Sequence, residues 1–151
     1  MQHENQIEVL NDLIRINNDR IEGYKKAAEQ LKDERSRLIP LFDQLQTESQ
    51  TNTTHLKNEV LRLGGDPDQG TTTGGKIYRA WMDVKATFGG DNPESVLMSC
   101  EGGEDAAKRA YSSALESGDL GDSLPLVTEQ RNAQLQSHDQ VKMLRDQYKN
   151  S

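Results

Sequence analysis

The sequence predicts an all-α protein, a four-helix bundle made of two antiparallel hairpins joined by a long crossover that contains a short helix. Three observations lead there. Apolar residues recur at alternating spacings of three and four along four separate stretches, the period of one helix face. Glycine pairs and prolines fall between these stretches rather than inside most of them. The connections run short, long, short, with about 27 residues in the middle one.

The first series is Ile7, Leu10, Ile14, Asn17, Ile21, Tyr24, Ala28 and Leu31. It predicts a helix over about 5–34, with Asn5 as cap and Glu8 three residues later as its capping-box partner. The second, Leu38, Phe42, Leu45, Ser49, Asn52, Leu56, Glu59 and Leu63, predicts a helix over about 37–63. Ser36 is its candidate cap, and Pro40 falls in the first turn, where a missing N–H does least harm. Gly64-Gly65 supplies a left-handed stop. In the crossover, Thr71-Thr72-Thr73 opens a short helix over about 73–88, with Ile77, Trp81, Val84 and Phe88 on one face and Lys76, Arg79 and Lys85 beside them. Asn92-Pro93-Glu94 is a helix-start signal for the third series, Leu97, Cys100, Glu104, Ala107, Tyr111 and Ala114, over about 93–117. Gly102-Gly103 is a weak point within it. The fourth series, Val127, Gln130, Gln134, Ser137, Val141, Leu144 and Tyr148, predicts a helix over about 124–149, with Ser123 as cap. All 151 residues form one domain.

Composition limits the functions open to such a bundle. Only 32% of residues are hydrophobic, and the formal net charge is −7. An acidic chain lacks the basic face that phosphate binding needs, so no nucleic acid is expected as partner. No apolar run approaches the roughly 18–20 residues of a membrane span, and no secretory signal is visible. The single Cys100 fits a reducing compartment, so the expected location is the cytoplasm. There is no phosphate loop, Cys-x-x-Cys pair or Ser/His/Asp arrangement, and no catalytic residue is expected.

Each apolar series is interrupted by polar residues near its middle. Asn17 and Asn52 lie about equally far from the first hairpin turn, Glu104 and His138 from the second. At ~1.5 Å per residue each pair is level to within a turn. The expectation is a polar layer of Asn17, Asn52, Glu104, Gln134 and His138. It has two readings. It is a hydrogen-bonded network with Glu104 on His138, supported by Asn17 and Gln134, which specifies helix register. Or it holds one divalent ion, iron or zinc, with Glu101, Glu104, His138 and His55 as the ligand candidates. A dinuclear oxidation site needs a Glu from two helices and Glu-x-x-His from the other two. Here Asn52 precedes His55 and Leu135 precedes His138 at that spacing, so ferroxidase chemistry is not expected. Two surfaces are candidates for partner binding or self-association: the crossover face of Ile77, Trp81, Val84 and Phe88, whose first expectation is packing against its own bundle, and the offset Val9/Ile16 stripe on helix one.

Three segments carry a resemblance: LNDLIRINNDRIEGY (10–24), LGGDPDQGTTTGGKIYRAWMDVKATF (63–88) and CEGGEDAAKRAY (100–111), together with His138-Asp139 and Leu144-Arg145-Asp146. Through them the chain resembles a bacterial family of ferritin-like four-helix-bundle proteins of unknown function. The resemblance implies a ferritin-like fold, with helix three continuous through Gly102-Gly103. It implies no activity, substrate or cofactor. The expected protein is therefore a non-catalytic bundle with a degenerate metal site and a stress-associated or interaction role, the alternative being a metal-binding one.

Overall fold

The computed structural model describes residues 3–31, 37–70 and 93–149. Among these the chain is all-helical: α1 Glu4–Gln30, α2 Leu38–Arg62, α3 Pro93–Glu116 and α4 Leu124–Lys149, with a single 3-10 turn, Gly121–Ser123, before α4. The crossover residues Thr71–Thr73, Ile77, Trp81, Val84 and Phe88, and the caps Ser36 and Asn92, lie outside the described residues.

Side-chain bonds fix the directions of the helices. Asn17 and Arg20 on α1 bond to Tyr111 and Glu104 on α3, so the two run antiparallel. On the other side Glu48 and Asn52 of α2 meet Ser137 and Gln130 of α4 in the same descending order. α1 also packs along α2, and α3 along α4. The core between them is built from Leu10, Leu13, Ile14, Tyr24, Phe42, Leu45, Leu56, Leu97, Tyr111, Val127 and Val141. Tyr24 and Phe42 stack tilted, ring centres 5.9 Å apart.

α1 is enclosed on more sides than one seam would require. Two heptad series share Leu10, Asn17, Tyr24 and Leu31. One adds Ile7, Ile14, Ile21 and Ala28, the other Leu13, Arg20 and Ala27. The structure buries every member of the second, whereas Ile7, Ile21 and Ala28 of the first are only half-buried. Ile16 is 6% exposed, so the Val9/Ile16 stripe is not a free surface. Part of α1 is also covered by the chain that leaves α2. Asn11 Nδ2 donates to the Asp66 carbonyl, Arg15 Nη1 to Asp68 at 2.6 Å, and Asn18 Nδ2 to the Gly70 carbonyl. These residues, four and three apart, form a ladder up one helix face.

The helix ends differ from the expected caps in several places. α1 starts at Glu4 after His3, with Asn5 inside the first turn and no side-chain cap, and its last helical residue is Gln30. α2 follows Arg37, which makes no side-chain cap. At its other end Gly64 has φ 84°, its N–H bonds to the Leu61 carbonyl, and the Gly65 N–H bonds to that of Val60. This is a Schellman stop, which needs a left-handed residue at Gly64. α3 is unbroken through Gly102-Gly103. Ser123 is used between helices: its Oγ donates to Glu59 at 2.6 Å and accepts from Gln6 at 2.9 Å. Arg62 joins Glu59 to Asp122 beside it, which clamps this end of the bundle.

Candidate functional site

The middle of the bundle is polar. Asn17, Asn52, Glu104, Gln134 and His138 are all buried. Their organiser is Arg20, a residue that sequence reasoning left out. Arg20 and Glu104 are both 0% exposed. Arg20 Nε donates to Glu104 Oε1 at 2.7 Å and Nη2 to Oε2 at 3.2 Å, a forked guanidinium–carboxylate pair. Its Nη1 donates to Asn17 Oδ1, which also accepts from Asn52 Nδ2, each at 3.2 Å. Asn17 Nδ2 in turn donates to Tyr111 Oη at 2.8 Å, Tyr111 donates to Gln130 Oε1 at 2.9 Å, and Gln130 Nε2 donates to the Asn52 carbonyl. The chain of donors thus passes through all four helices and closes on itself.

Two expected contacts are different. Gln134 reaches Glu104 through the backbone, donating to its carbonyl at 2.9 Å. His138 turns away from Glu104. Its Nε2 faces Asp105 Oδ1 at 2.5 Å, and its Nδ1 faces Asp139 Oδ1 at 3.1 Å. Glu101 lies outside the core and pairs with Arg145 of α4. His55 is exposed on α2 and joins neither group. The four ligand candidates therefore do not converge: Glu104 belongs to the core pair, Glu101 and His138 to the α3–α4 seam, and His55 to the surface.

Electrostatics follow from the burial. Burial raises the Glu104 carboxyl above its ordinary value, while the two bonds from Arg20 pull it back down. Burial alone would lower the Arg20 guanidinium, but Glu104, Tyr24 and Glu48 together raise it, so the cation is fixed. Burial also pushes Tyr111 up to about 12, which leaves its hydroxyl a neutral relay between Asn17 and Gln130. Glu48 Oε1 lies 3.6 Å from Arg20 Nη2, beyond hydrogen-bond range but within ion-pair range.

This donor set does not fit a ferritin-like pair of ions. Such a centre uses four carboxylates to neutralise two divalent cations. Here the bundle middle offers Glu104 and Glu48, and a guanidinium already sits against both. A cation placed beside Glu104 would have to take the carboxylate from Arg20 and leave a fully buried guanidinium without that partner, at a cost of several kcal/mol.

The fold and this site define an all-helical bundle with an ion pair sealed in its middle. Residues 5–117 match the family described as Domain of unknown function (DUF2383), and the chain belongs to that family. No curated protein and no solved structure matches it. No described helix is long and apolar enough to cross a membrane.

Proposed function

We propose that this is a non-catalytic, cytoplasmic bundle of ferritin-like chain path in which a buried arginine stands where a metal centre would be, and which acts through its surface in a stress-associated or protein-interaction role. The observation that carries this reading is the Arg20–Glu104 pair, fully buried and joined at both carboxylate oxygens. A fixed cation makes the core electrostatically complete without an ion, and the donor relay around it uses its polar atoms for register rather than reaction. The ferritin-like path is supported by the helix directions. With α1 antiparallel to both α2 and α3, the last two run the same way, and their connection has to travel roughly 35 Å, the length of a helix. The ladder of Asp66, Asp68 and Gly70 along Asn11, Arg15 and Asn18 heads in that direction. The buried Cys100 suits a reducing compartment.

The test is aerobic Fe(II) oxidation by the untagged full chain carrying Asp105→Asn, a change outside the core. The expected rate equals that of the protein-free buffer. Faster ferric formation that disappears on adding Glu104→Gln would overturn the reading.

A further inference from the structure

The seam between α3 and α4 carries a second cluster that shares no residue with the core pair. Glu101 and Asp105 stand one turn apart on α3, and His138 reaches them from α4. One ligand atom from each lies within 4.8 Å of the other two. We propose that Glu101, Asp105 and His138 bind a single divalent transition-metal ion, of which Zn(II) is the best-fitting representative.

The chemistry of the donors selects this class of ligand. Two carboxylates supply the charge for a divalent ion, offset in part by Arg145, which unlike Arg20 is only partly buried and can turn to solvent when an ion enters. An imidazole favours zinc and its neighbours over magnesium or calcium. Spacing i, i+4 brings two carboxylates to one helix face, and the third donor comes from the neighbouring helix, so the site bridges α3 and α4. Zinc bonds of about 2.0–2.2 Å set ligand atoms roughly 3–4 Å apart. An ion would replace the His138–Asp105 hydrogen bond, opening that 2.5 Å contact by about 1 Å while the Glu101 oxygen moves in.

The histidine is held for such a role. Its residue is only 6% exposed, and Asp139 faces Nδ1, which leaves Nε2 turned toward Asp105. A carboxylate behind the distal nitrogen is the usual outer support of a metal-ligating imidazole. Arg145 pairs with one oxygen of Glu101, and the carboxylate keeps its second oxygen for an ion. The Asp105 side chain is 43% exposed, so an ion can enter from solvent and complete its coordination with water. No atom of Arg20, Glu48 or Glu104 is needed. The seam site and the core reading can therefore fail separately.

The test is calorimetric titration of the chelator-treated, untagged full chain with Zn(II), with circular dichroism of each variant to verify its fold. The expected result is one ion per chain. Binding should be lost in His138→Gln and in Asp105→Asn, weakened at least tenfold in Glu101→Gln, and unchanged in His55→Gln. Asp105 is partly exposed, so its variant retains the fold even if His138→Gln disturbs packing. No saturable binding by the parent chain would overturn the proposal, and so would stoichiometric binding that survives Asp105→Asn.

Discussion

Removing Arg20 tests the centre of the bundle most directly. Arg20→Met keeps an apolar stem of similar length and deletes the cation, which leaves Glu104 fully buried with no guanidinium on either oxygen. Breaking one side of a buried pair costs about 3–5 kcal/mol, because the remaining charge is unpaired in a low-dielectric interior. For a chain of this size each kcal/mol moves the melting midpoint by about 2–4 °C, so Tm should fall by about 6–20 °C. Glu104→Gln should cost somewhat less, because Glu48 stays 3.6 Å from the guanidinium and the amide keeps one acceptor oxygen. The double variant Arg20→Met/Glu104→Leu removes both charges and should lie within about 2 kcal/mol of the parent, because paired desolvation roughly offsets paired attraction. Urea unfolding followed by far-UV circular dichroism at neutral pH gives all three values and their coupling. A single-variant cost below about 1 kcal/mol, or a double variant that costs the sum of the singles, would refute the argument.

Tyr111→Phe deletes the hydroxyl between Asn17 and Gln130 and leaves Gln130 Oε1 buried with that donor gone, which should cost about 1–3 kcal/mol in the same urea assay. Gly64→Ala forces an L-residue into φ 84°, where open space offers no relief from backbone strain. It should cost about 1–2 kcal/mol, against a smaller loss for Gly64→Asn. Acid should loosen the clamp at the bundle end. Hydrogen bonds from Arg62 hold both the Glu59 and Asp122 carboxyls below their ordinary values. Their stabilisation is therefore present above the unfolded carboxylate range and lost as pH falls through the depressed folded values. Glu104, whose carboxyl is raised, works in the opposite sense: its protonation favours the folded state as pH drops toward the unfolded value. In a series of urea melts from neutral to acidic pH, Glu59→Gln should flatten the acid-side loss, and an unchanged slope would discount the clamp.

How much of this was legible in the sequence depends on the helix. On α2, α3 and α4 the apolar series marks a buried face that also carries the polar members Ser49, Asn52, Glu104, Gln130, Gln134 and Ser137. The first half of α3 is enclosed on further sides, with Ser95, Val96 and Ser99 buried as well. α1 was harder because two heptad series overlap on it. The apolar residues Ile14 and Ile21 favour one, and an arginine at position 20 argues against the other. The burial of Arg20 depends on a carboxylate 84 positions away, and nothing local announces such a partner. The same limit applies to the seam. His138 was visible as a candidate, but its proximity to Asp105 rather than Glu104 is a matter of side-chain direction across two helices. The Gly64-Gly65 stop was readable because its chemistry is local. Ser123 was not, because its hydroxyl answers to Glu59 and Gln6 in other helices.

The closed relay of donors also bears on where this protein can be divided. The family match stops at residue 117, just past α3, yet Gln130 accepts the hydrogen bond of the Tyr111 hydroxyl and Gln134 donates to the Glu104 carbonyl, both from α4. A fragment ending at 117 would leave the Tyr111 hydroxyl and the Glu104 backbone facing an open groove, with the apolar seam of Leu97, Ala107 and Ala114 uncovered. The cooperative folding unit is therefore longer than the segment by which the family is recognised. Truncation at that boundary should yield a molten, aggregating piece rather than a smaller domain.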